Sequence, residues 1–268
     1  MIQKQFKYIY GPVYSWRLGM SLGIDPVTAK GKICNFDCVY CQLGRTAEFH
    51  SVREVFVPTR EIMREIESLP AIPIDHYTFS GRGEPTLAKN LGQMIRALRA
   101  AQKGKIAVIT NAALIDQPGV QEDLASADFV LAKLDAWDEN SLKEIDIPAR
   151  EIQFSRIVNG LKAFKRRFGG KLALQIMFIE HNKSHAKDIA QIAREINPDE
   201  IQINTPLRPS AVKPLGREEL SQIKKCFQGL PVVSVDEDQR EDVHPFDDHD
   251  TIRRHGNFKK KVKRRAQC

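Results

Sequence analysis

Residues 21–44 read SLGIDPVTAKGKICNFDCVYCQLG, an apolar stretch followed by a loop that carries three cysteines. The apolar start, Ser21 to Ile24, is predicted to form a short buried strand. Cys34, Cys38 and Cys41 then fall within eight residues, whereas the other two cysteines of the chain stand far apart. Disulfide frameworks are typical of short secreted chains. The clustering therefore favours a metal or iron–sulfur site.

Three thiolates on one short loop suit three kinds of metal site. They can hold three irons of a [4Fe–4S] cluster and leave the fourth iron open to a small chelating molecule. Structural zinc is almost always four-coordinate, and His50 is the nearby candidate for a fourth ligand. A closed, electron-carrying cluster would take its fourth thiolate from Cys226 or Cys268, brought near by the fold. The spacing favours the open cluster and leaves the other two as alternatives.

Strands and helices alternate along the rest of the chain. Apolar runs predict strands at residues 21–24, 77–80, 106–110, 129–134, 172–179 and 201–204, with a later one at 232–235. Apolar residues three and four apart predict helices at 59–69, 91–101, 152–168, 185–196 and 217–227. Six such repeats are too few for a complete eight-fold barrel, so we expect an α/β fold, a partial (β/α)6 TIM-like barrel. Ligands of such folds gather at the carboxyl ends of the strands.

Charge is distributed unevenly along the chain. The 268 residues carry a net charge of +7, and 42% of them are hydrophobic, which is enough for a buried core. Residues 236–250 hold eight acids and one arginine, residues 251–268 hold eight basic residues and no acid, and residues 1–235 keep a net charge of +6. We expect one core domain over residues 1–235 and a charged C-terminal tail over 236–268, with disorder as one option for the tail.

The sequence shows no sign of membrane insertion. No apolar run approaches the roughly 20 residues of a membrane span, and the first residues lack the order of a secretory signal. We therefore expect a soluble, cytoplasmic protein without a membrane partner. The mildly basic core domain permits a polyanion such as RNA as a partner, but charge runs are usually solvated and do not establish one.

A second motif, which contains two glycines, follows the second predicted strand and reads Ser80-Gly81-Arg82-Gly83-Glu84-Pro85. Its glycines let the backbone approach a ligand closely, although an ordinary strand-to-helix turn would use the same residues. The later strands also end in polar residues, which are Thr110, Asn111, Lys133, Asp135, Gln175, Gln202, Asn204 and Arg208. A buried lysine needs an anion, which a ligand or Asp135 would provide for Lys133. Because these residues recur at one end of successive strands, they predict a ligand pocket.

The cysteine spacing, with Tyr40 just before the last cysteine, resembles the signature of radical S-adenosylmethionine (SAM) enzymes. The glycine motif resembles the Gly-Gly-Glu motif of that family, with Arg82 separating the two glycines. Residues 11–24, which read GPVYSWRLGMSLGI, and residues 204–209, which read NTPLRP, narrow the resemblance. They are similar to a subgroup that is placed with the tRNA wyosine-base synthesis enzymes.

The resemblance implies two cofactors, a [4Fe–4S] cluster on Cys34, Cys38 and Cys41 and SAM on the open iron. An electron from the cluster would cleave SAM to a 5′-deoxyadenosyl radical that abstracts hydrogen from a substrate. Tyr40 would pack near the adenine, and the glycine motif would receive the SAM ammonium group. The full set of implied SAM contacts is Tyr40, Gly81, Gly83, Glu84, Thr110, Asn111, Lys133, Asp135, Gln175 and Asn204. No catalytic residue toward the substrate is implied.

The implied partners are a reductant protein such as flavodoxin or ferredoxin and a substrate, with tRNA as the first hypothesis. An activase that places a radical on a partner protein is the runner-up, and a small-molecule substrate is equally open. A zinc-binding or iron–sulfur module without catalysis is the alternative from a different functional class.

Overall fold

A curled sheet of eight strands forms the centre of the molecule. The computed structural model describes residues 6–101, 103–235 and 245–255, and its strands lie side by side in chain order. Strand β1 (Ile9–Ser15) is antiparallel to β2 (Gly19–Ile24), and every later pair is parallel. The later strands are β3 (His76–Phe79), β4 (Lys105–Thr110), β5 (Phe129–Lys133), β6 (Lys171–Met177), β7 (Glu200–Asn204) and β8 (Val232–Ser234). The predicted α/β partial barrel is confirmed, with β1 as a strand that the sequence did not predict.

Among the described residues, seven helices lie in the connections between the parallel strands, and an eighth follows the last strand. They are α1 (Thr59–Glu67), α2 (Leu91–Ala100), α3 (Pro118–Leu124), α4 (Glu139–Ile145), α5 (Phe154–Arg167), α6 (Ala186–Ile196), α7 (Arg217–Cys226) and α8 (Asp248–His255). The five predicted helices agree with α1, α2, α5, α6 and α7 to within two residues at each end. In α5, Ile157, Leu161 and Phe164 recur at helical spacing and are buried, so one stripe of the helix covers the sheet.

Alternation along the strands separates two apolar layers. Val130 and Leu174 belong to the large core between sheet and helices, whereas Leu131 and Ala173, one residue along each strand, belong to a small cluster inside the barrel. Successive strand side chains point to opposite faces. The concave face of the sheet is therefore a lumen, and its apolar cluster lies near the start of the strands.

The turn between β1 and β2 closes this lower end of the lumen. Leu18 is buried in the cluster with Phe129 and Ala107, and its carbonyl oxygen lies 2.7 Å from Nδ1 of His76. The cysteine loop follows the other end of β2, so the open end of the lumen lies on the side of the cysteines.

A short C-terminal segment covers β1. The Phe246 N–H donates to the Gly11 carbonyl over 2.7 Å, and the Gly11 N–H donates to Thr251 Oγ1 over 3.1 Å. The Phe6 and Phe246 rings lie 5.4 Å apart. Part of the segment expected to be a tail therefore packs on the sheet, while residues 236–244 and 256–268 lie outside the described residues. Within the described ranges, no helix combines the length and apolar character that a membrane span requires.

Candidate functional site

The cysteine loop is held in place by backbone contacts on three sides. Isolated bridges join Ile33 to Gly83, Cys34 to Phe49 and Phe36 to Pro148. Inside the loop, the Cys41 N–H donates to the Cys38 carbonyl over 3.0 Å. Cys34 is buried and the other two thiols are half-buried. The loop is thus fixed by the protein itself at the open end of the lumen.

The environment of the thiols combines burial with one nearby cation. Burial, with a contribution from Glu84, raises the pKa of Cys34 to about 12, and burial also raises the pKa of Cys38. Burial opposes the charge of Lys32, yet the sulfurs of the three cysteines outweigh it and raise the pKa of that lysine. A buried thiolate is stable only beside positive charge, which bound metal would provide together with Lys32.

The three thiols fit a cluster better than a single ion. Among the described residues, no group of three or more His, Cys, Asp or Glu side chains is arranged to hold one metal ion. In an iron–sulfur cluster each thiolate binds its own iron, so the thiols need not converge on one point. The backbone N–H of His50 donates to the Cys34 carbonyl over 3.0 Å, and the centre of its imidazole ring lies 6.2 Å from that of the Phe56 ring. The Cys226 thiol contacts its own helix at Gln222, 3.8 Å away. Cys268 lies outside the described residues.

The glycine motif after β3 packs directly on the cysteine loop. A Cβ at Gly83 would lie 1.6 Å from the Ile33 carbonyl oxygen, and one at Gly81 would lie 2.6 Å from Asp25 Cγ. Gly81 also has a φ of +139°, a conformation that favours glycine. Gly83 therefore lets two backbone segments meet, and Gly81 lets the backbone pass close to the Asp25 side chain.

Glu84 is fully engaged inside the protein. Its Oε1 accepts hydrogen bonds from the Thr86 N–H at 2.9 Å and the Thr110 hydroxyl at 2.6 Å, and its Oε2 accepts from the Asn111 N–H at 2.7 Å. Burial raises the pKa of this carboxyl against the effect of these donors. The Asn111 amide in turn donates to Asn35 over 2.7 Å. Glu84 thus ties the ends of β3 and β4 to the cysteine loop.

A second buried network surrounds Tyr40. Its hydroxyl lies 2.5 Å from Asp135 Oδ2 and 2.9 Å from Asp146 Oδ1, and both carboxylates are buried. Lys133 Nζ lies 3.1 Å from Asp135 Oδ2 and 4.9 Å from the centre of the Tyr40 ring. Lys133 and Asp135 do pair with each other, as the sequence suggested. The pair nevertheless leaves the lysine at the cavity wall.

A cavity of about 300 Å³ occupies the lumen below the cysteine loop. Cys41 lines it together with six of the ten implied SAM contacts, which are Tyr40, Gly81, Gly83, Lys133, Gln175 and Asn204. The other four, Glu84, Thr110, Asn111 and Asp135, are not among the lining residues, because their polar atoms are used in the two networks behind the wall. Gln202 is buried on β7, and Arg208 lines the cavity beyond the end of that strand.

Three arginines line the cavity. Arg208 was foreseen as a polar residue after a strand, but Arg17 and Arg254 were not predicted as site residues. Arg17 lies in the β1–β2 turn and Arg254 on α8, so neither follows the carboxyl end of a parallel strand. Arg17 lies in residues 11–24, a motif that carried the family resemblance, and this was the one sequence signal for it. No sequence signal pointed to Arg254.

Comparison with known proteins agrees with this geometry. The profile of the radical SAM superfamily matches residues 29–193. A UPF0026 protein of Synechocystis sp. is 39% identical over 214 residues, which are 80% of this chain and 79% of that protein. SuiB of Streptococcus suis has a similar structure with a TM-score of 0.60 at 17% identity, covering 79% of this chain but only 48% of SuiB. An archaeal TYW1 structure gives a TM-score of 0.55 at 14% identity, covering 80% of this chain and 72% of that chain.

The matched region contains the three cysteines, the glycine motif and strands β3 to β6. The two structural matches have low sequence identity and support the fold alone. From the profile match and the close relative, the chain belongs to the radical SAM superfamily and is an enzyme that cleaves SAM with a [4Fe–4S] cluster.

Proposed function

We propose that this enzyme uses the 5′-deoxyadenosyl radical to abstract a hydrogen atom from a substrate held in the lumen, with tRNA as the first candidate. The observation that carries the proposal is the position of Cys41, which lies on the thiol loop and also lines the cavity. Cys34, Cys38 and Cys41 would hold the cluster, which would supply the electron that cleaves SAM into methionine and the radical. A flavodoxin or ferredoxin would deliver that electron.

Residues of the cavity wall are proposed to position SAM. Tyr40, Gly81, Gly83, Lys133, Gln175 and Asn204 are the proposed direct contacts, since they line the space next to the thiol loop. Gln175 Nε2 is buried without a hydrogen-bond partner, so it has a donor to offer a ligand. The other four implied contacts would not touch SAM but would hold in place the backbone that carries the contact residues. They are Glu84, Thr110, Asn111 and Asp135.

The cavity also has the apolar surface that a radical intermediate requires. Ile109, Leu43, Met177 and Pro206 line it, and the Arg208 guanidinium donates over 2.5 Å to Oε1 of Gln42, which is also a lining residue. Exclusion of water limits side reactions of reactive species. We propose that the Arg208–Gln42 contact helps to close the site over SAM and substrate.

The case for tRNA rests on the family resemblance and on charge. Residues 1–235 have a net charge of +6, and Lys and Arg side chains can contact phosphates without reading sequence. The basic residues 256–268 lie outside the described residues.

Replacement of one cluster ligand tests the reaction. Cys38→Ala should abolish both the visible absorbance of the anaerobically reconstituted protein and the formation of 5′-deoxyadenosine after reduction, because two thiolates cannot hold the open cluster. Cys226→Ala is the matched control, since that thiol lies on α7 away from the loop, and it should keep both signals. A colourless wild-type protein with stoichiometric zinc would refute the radical chemistry.

The same variants test the substrate in cells. A strain that lacks the gene should lose a tRNA modification, which the wild-type gene and Cys226→Ala restore and Cys38→Ala does not. Identical modified-nucleoside profiles of total tRNA in all four strains would exclude tRNA while leaving the radical chemistry untouched.

A further inference from the structure

We propose that the end of the lumen at Arg17 binds an anionic group of the substrate, a carboxylate or a phosphate. The inference rests on the proposed function, because it assumes that the lumen holds a substrate beside SAM. It adds the chemical class of that substrate and the residue that recognises it.

The charge of the cavity wall is the first argument. Four basic side chains line the cavity, which are Arg17, Lys133, Arg208 and Arg254, and over the described residues no Asp or Glu side chain is among the lining. The carboxylates that pair with Lys133 and Arg254 are not among the lining residues, so the charged groups that face the cavity are positive. An anion is the ligand that these positive groups favour.

The second argument is that each of the other three basic side chains has an ion-pair or hydrogen-bond partner, whereas among the described residues the Arg17 guanidinium has neither. Lys133 lies 3.1 Å from Asp135, and Arg254 lies 3.0 Å from Asp250. Arg208 donates to Gln42. Arg17 Nε is buried and makes no hydrogen bond, and no carboxylate of the described residues lies within ion-pair distance of its guanidinium. The centre of the Trp16 ring lies 5.5 Å from the guanidinium carbon.

Glu200 is the acid that attracts Arg17 electrostatically, but both of its carboxylate oxygens have other partners. Lys171 Nζ lies 2.5 Å from Oε2 of Glu200, and the Gln202 amide donates to Oε1 over 2.7 Å. Glu200 still attracts Arg17 at longer range, yet burial prevails and lowers the pKa of Arg17 to about 10. Burying a charged group without a hydrogen-bonded partner is costly. A ligand anion at Arg17 would remove that cost.

The distance between Arg17 and the cysteine loop shows that this anion would not be part of SAM. The β1–β2 turn that carries Arg17 and the cysteine loop lie at opposite ends of β2, a strand of six residues, which spans about 17 Å at roughly 3.3 Å per residue. By the family resemblance, the carboxylate of SAM would bind the open iron at the cysteine end. The remainder of SAM carries no anionic group, so an anion at Arg17 belongs to a second molecule.

Equilibrium dialysis of the reconstituted enzyme with saturating SAM tests the inference. Radiolabelled inorganic phosphate and radiolabelled malonate serve as two separate probes, in buffer of constant ionic strength, so that the arms distinguish a phosphate site from a carboxylate site. At least one probe should bind to the wild type, and its affinity should fall about tenfold or more in Arg17→Met, because a charge-assisted contact is lost. Arg17→Lys, which keeps the charge, should recover part of that affinity.

Arg64→Met is the matched control, because Arg64 is an exposed residue of α1 that pairs with Glu61 at 2.9 Å. It should bind the probe as the wild type does. Equal binding by Arg17→Met, or absence of binding of both probes to the wild type, would overturn the inference. If Arg17→Met does not fold, competition in the wild type decides: displacement of the probe by SAM would assign the site to SAM and refute the proposal. Failure of the wild type to cleave SAM would instead refute the proposed function. The two outcomes can be distinguished because dialysis measures binding and does not require SAM cleavage.

Discussion

Tyr40 shows how a single side chain joins the cysteine loop to the barrel. Its hydroxyl contacts Asp135 after β5 and Asp146 after α4. A phenol has one O–H hydrogen to donate, so it can satisfy only one of the two carboxyl groups at a time. Burial, together with Asp135, raises the pKa of Asp146 to about 7, and a proton on that acid can provide the second hydrogen bond. The three groups therefore share protons in a closed network.

Removal of the Tyr40 hydroxyl should destabilise this network. In Tyr40→Phe the two buried acids lose the hydroxyl to which both are hydrogen-bonded, and the expected loss is about 1–3 kcal/mol of unfolding free energy. Urea denaturation of the cluster-free chain at pH 7 measures the change. Tyr77→Phe is the control, because among the described residues no hydrogen bond of the Tyr77 hydroxyl is seen, and its change should stay below about 0.5 kcal/mol. Equal effects of the two substitutions would show that the Tyr40 hydroxyl does not stabilise the loop.

Helix α8 is attached to the barrel through a buried ion pair. Arg254 Nη1 lies 3.6 Å from Asp25 Oδ2, and Asp25 directly follows β2. Arg254 is 3% exposed and also contacts the Lys7 carbonyl. Burial raises the pKa of Asp25 to about 6, with Arg254 opposing the shift. The element that covers β1 therefore depends on a carboxyl group that titrates close to neutral pH.

The pKa of Asp25 predicts how stability changes with pH. A folded-state pKa above the ordinary value means that the folded chain binds a proton that the unfolded chain releases, so the contribution is present below pH 4 and is lost as pH rises through about 6. The loss is about 3 kcal/mol, from roughly 1.4 kcal/mol for each pH unit between the two pKa values. Urea denaturation from pH 4 to pH 7 should show the wild type losing this amount relative to Asp25→Asn.

Asp138 provides a control of opposite sign. It caps α4, and the hydrogen bond from the Ser141 N–H lowers its pKa. The stability that it contributes is present above its ordinary pKa and is lost only as pH falls below about 4. The difference between the wild type and Asp138→Asn should therefore stay constant from pH 4 to pH 7 and decrease when the series is extended below pH 4. A flat difference between the wild type and Asp25→Asn would contradict the raised pKa of Asp25.

Periodicity predicted the elements that are long or buried on both faces. The parallel strands β2 to β8 and the helices of nine or more residues were all found from apolar spacing. Strand β1 was missed because Gly11 and Pro12 interrupt it, and its pairing with β2 is irregular between Tyr10 and Val13. Helices α3 and α4 have seven residues each, too few to show a clear helical period.

The same reasoning located one end of the site and not the other. Carboxyl ends of parallel strands meet at one edge, which is why Lys133, Gln175 and Asn204 could be placed together from sequence. Arg17 stands on a turn at the opposite end, and Arg254 follows a run of charged residues that suggested a tail. Sequence spacing contains no information about which distant segment covers the open side of a partial barrel. Only the folded chain brings these two arginines to the cavity.

At the scale of the whole molecule, the cofactor loop is built on a core that does not need the cofactor. Sheet and helices supply most of the large core, which includes Phe79, Val130 and Leu174, and the thiol loop adds Ile33, Cys34 and Phe36 at its edge. Backbone bridges from Ile33 and Phe36 then tie the loop to this frame. In small zinc modules the order is reversed, since the metal supplies the folding energy.

Removal of the cluster should therefore leave the fold intact. Chelation of iron from the reconstituted enzyme should leave the far-UV circular dichroism spectrum unchanged and lower Tm by about 10 °C, because a ligand that binds only the folded chain adds a few kcal/mol. Cys38→Ala, which cannot hold the cluster, should melt where the chelated wild type melts. If chelation instead abolished the helical and strand signals, the thiol loop would be a folding nucleus like that of a zinc module, and the barrel core would not be self-sufficient.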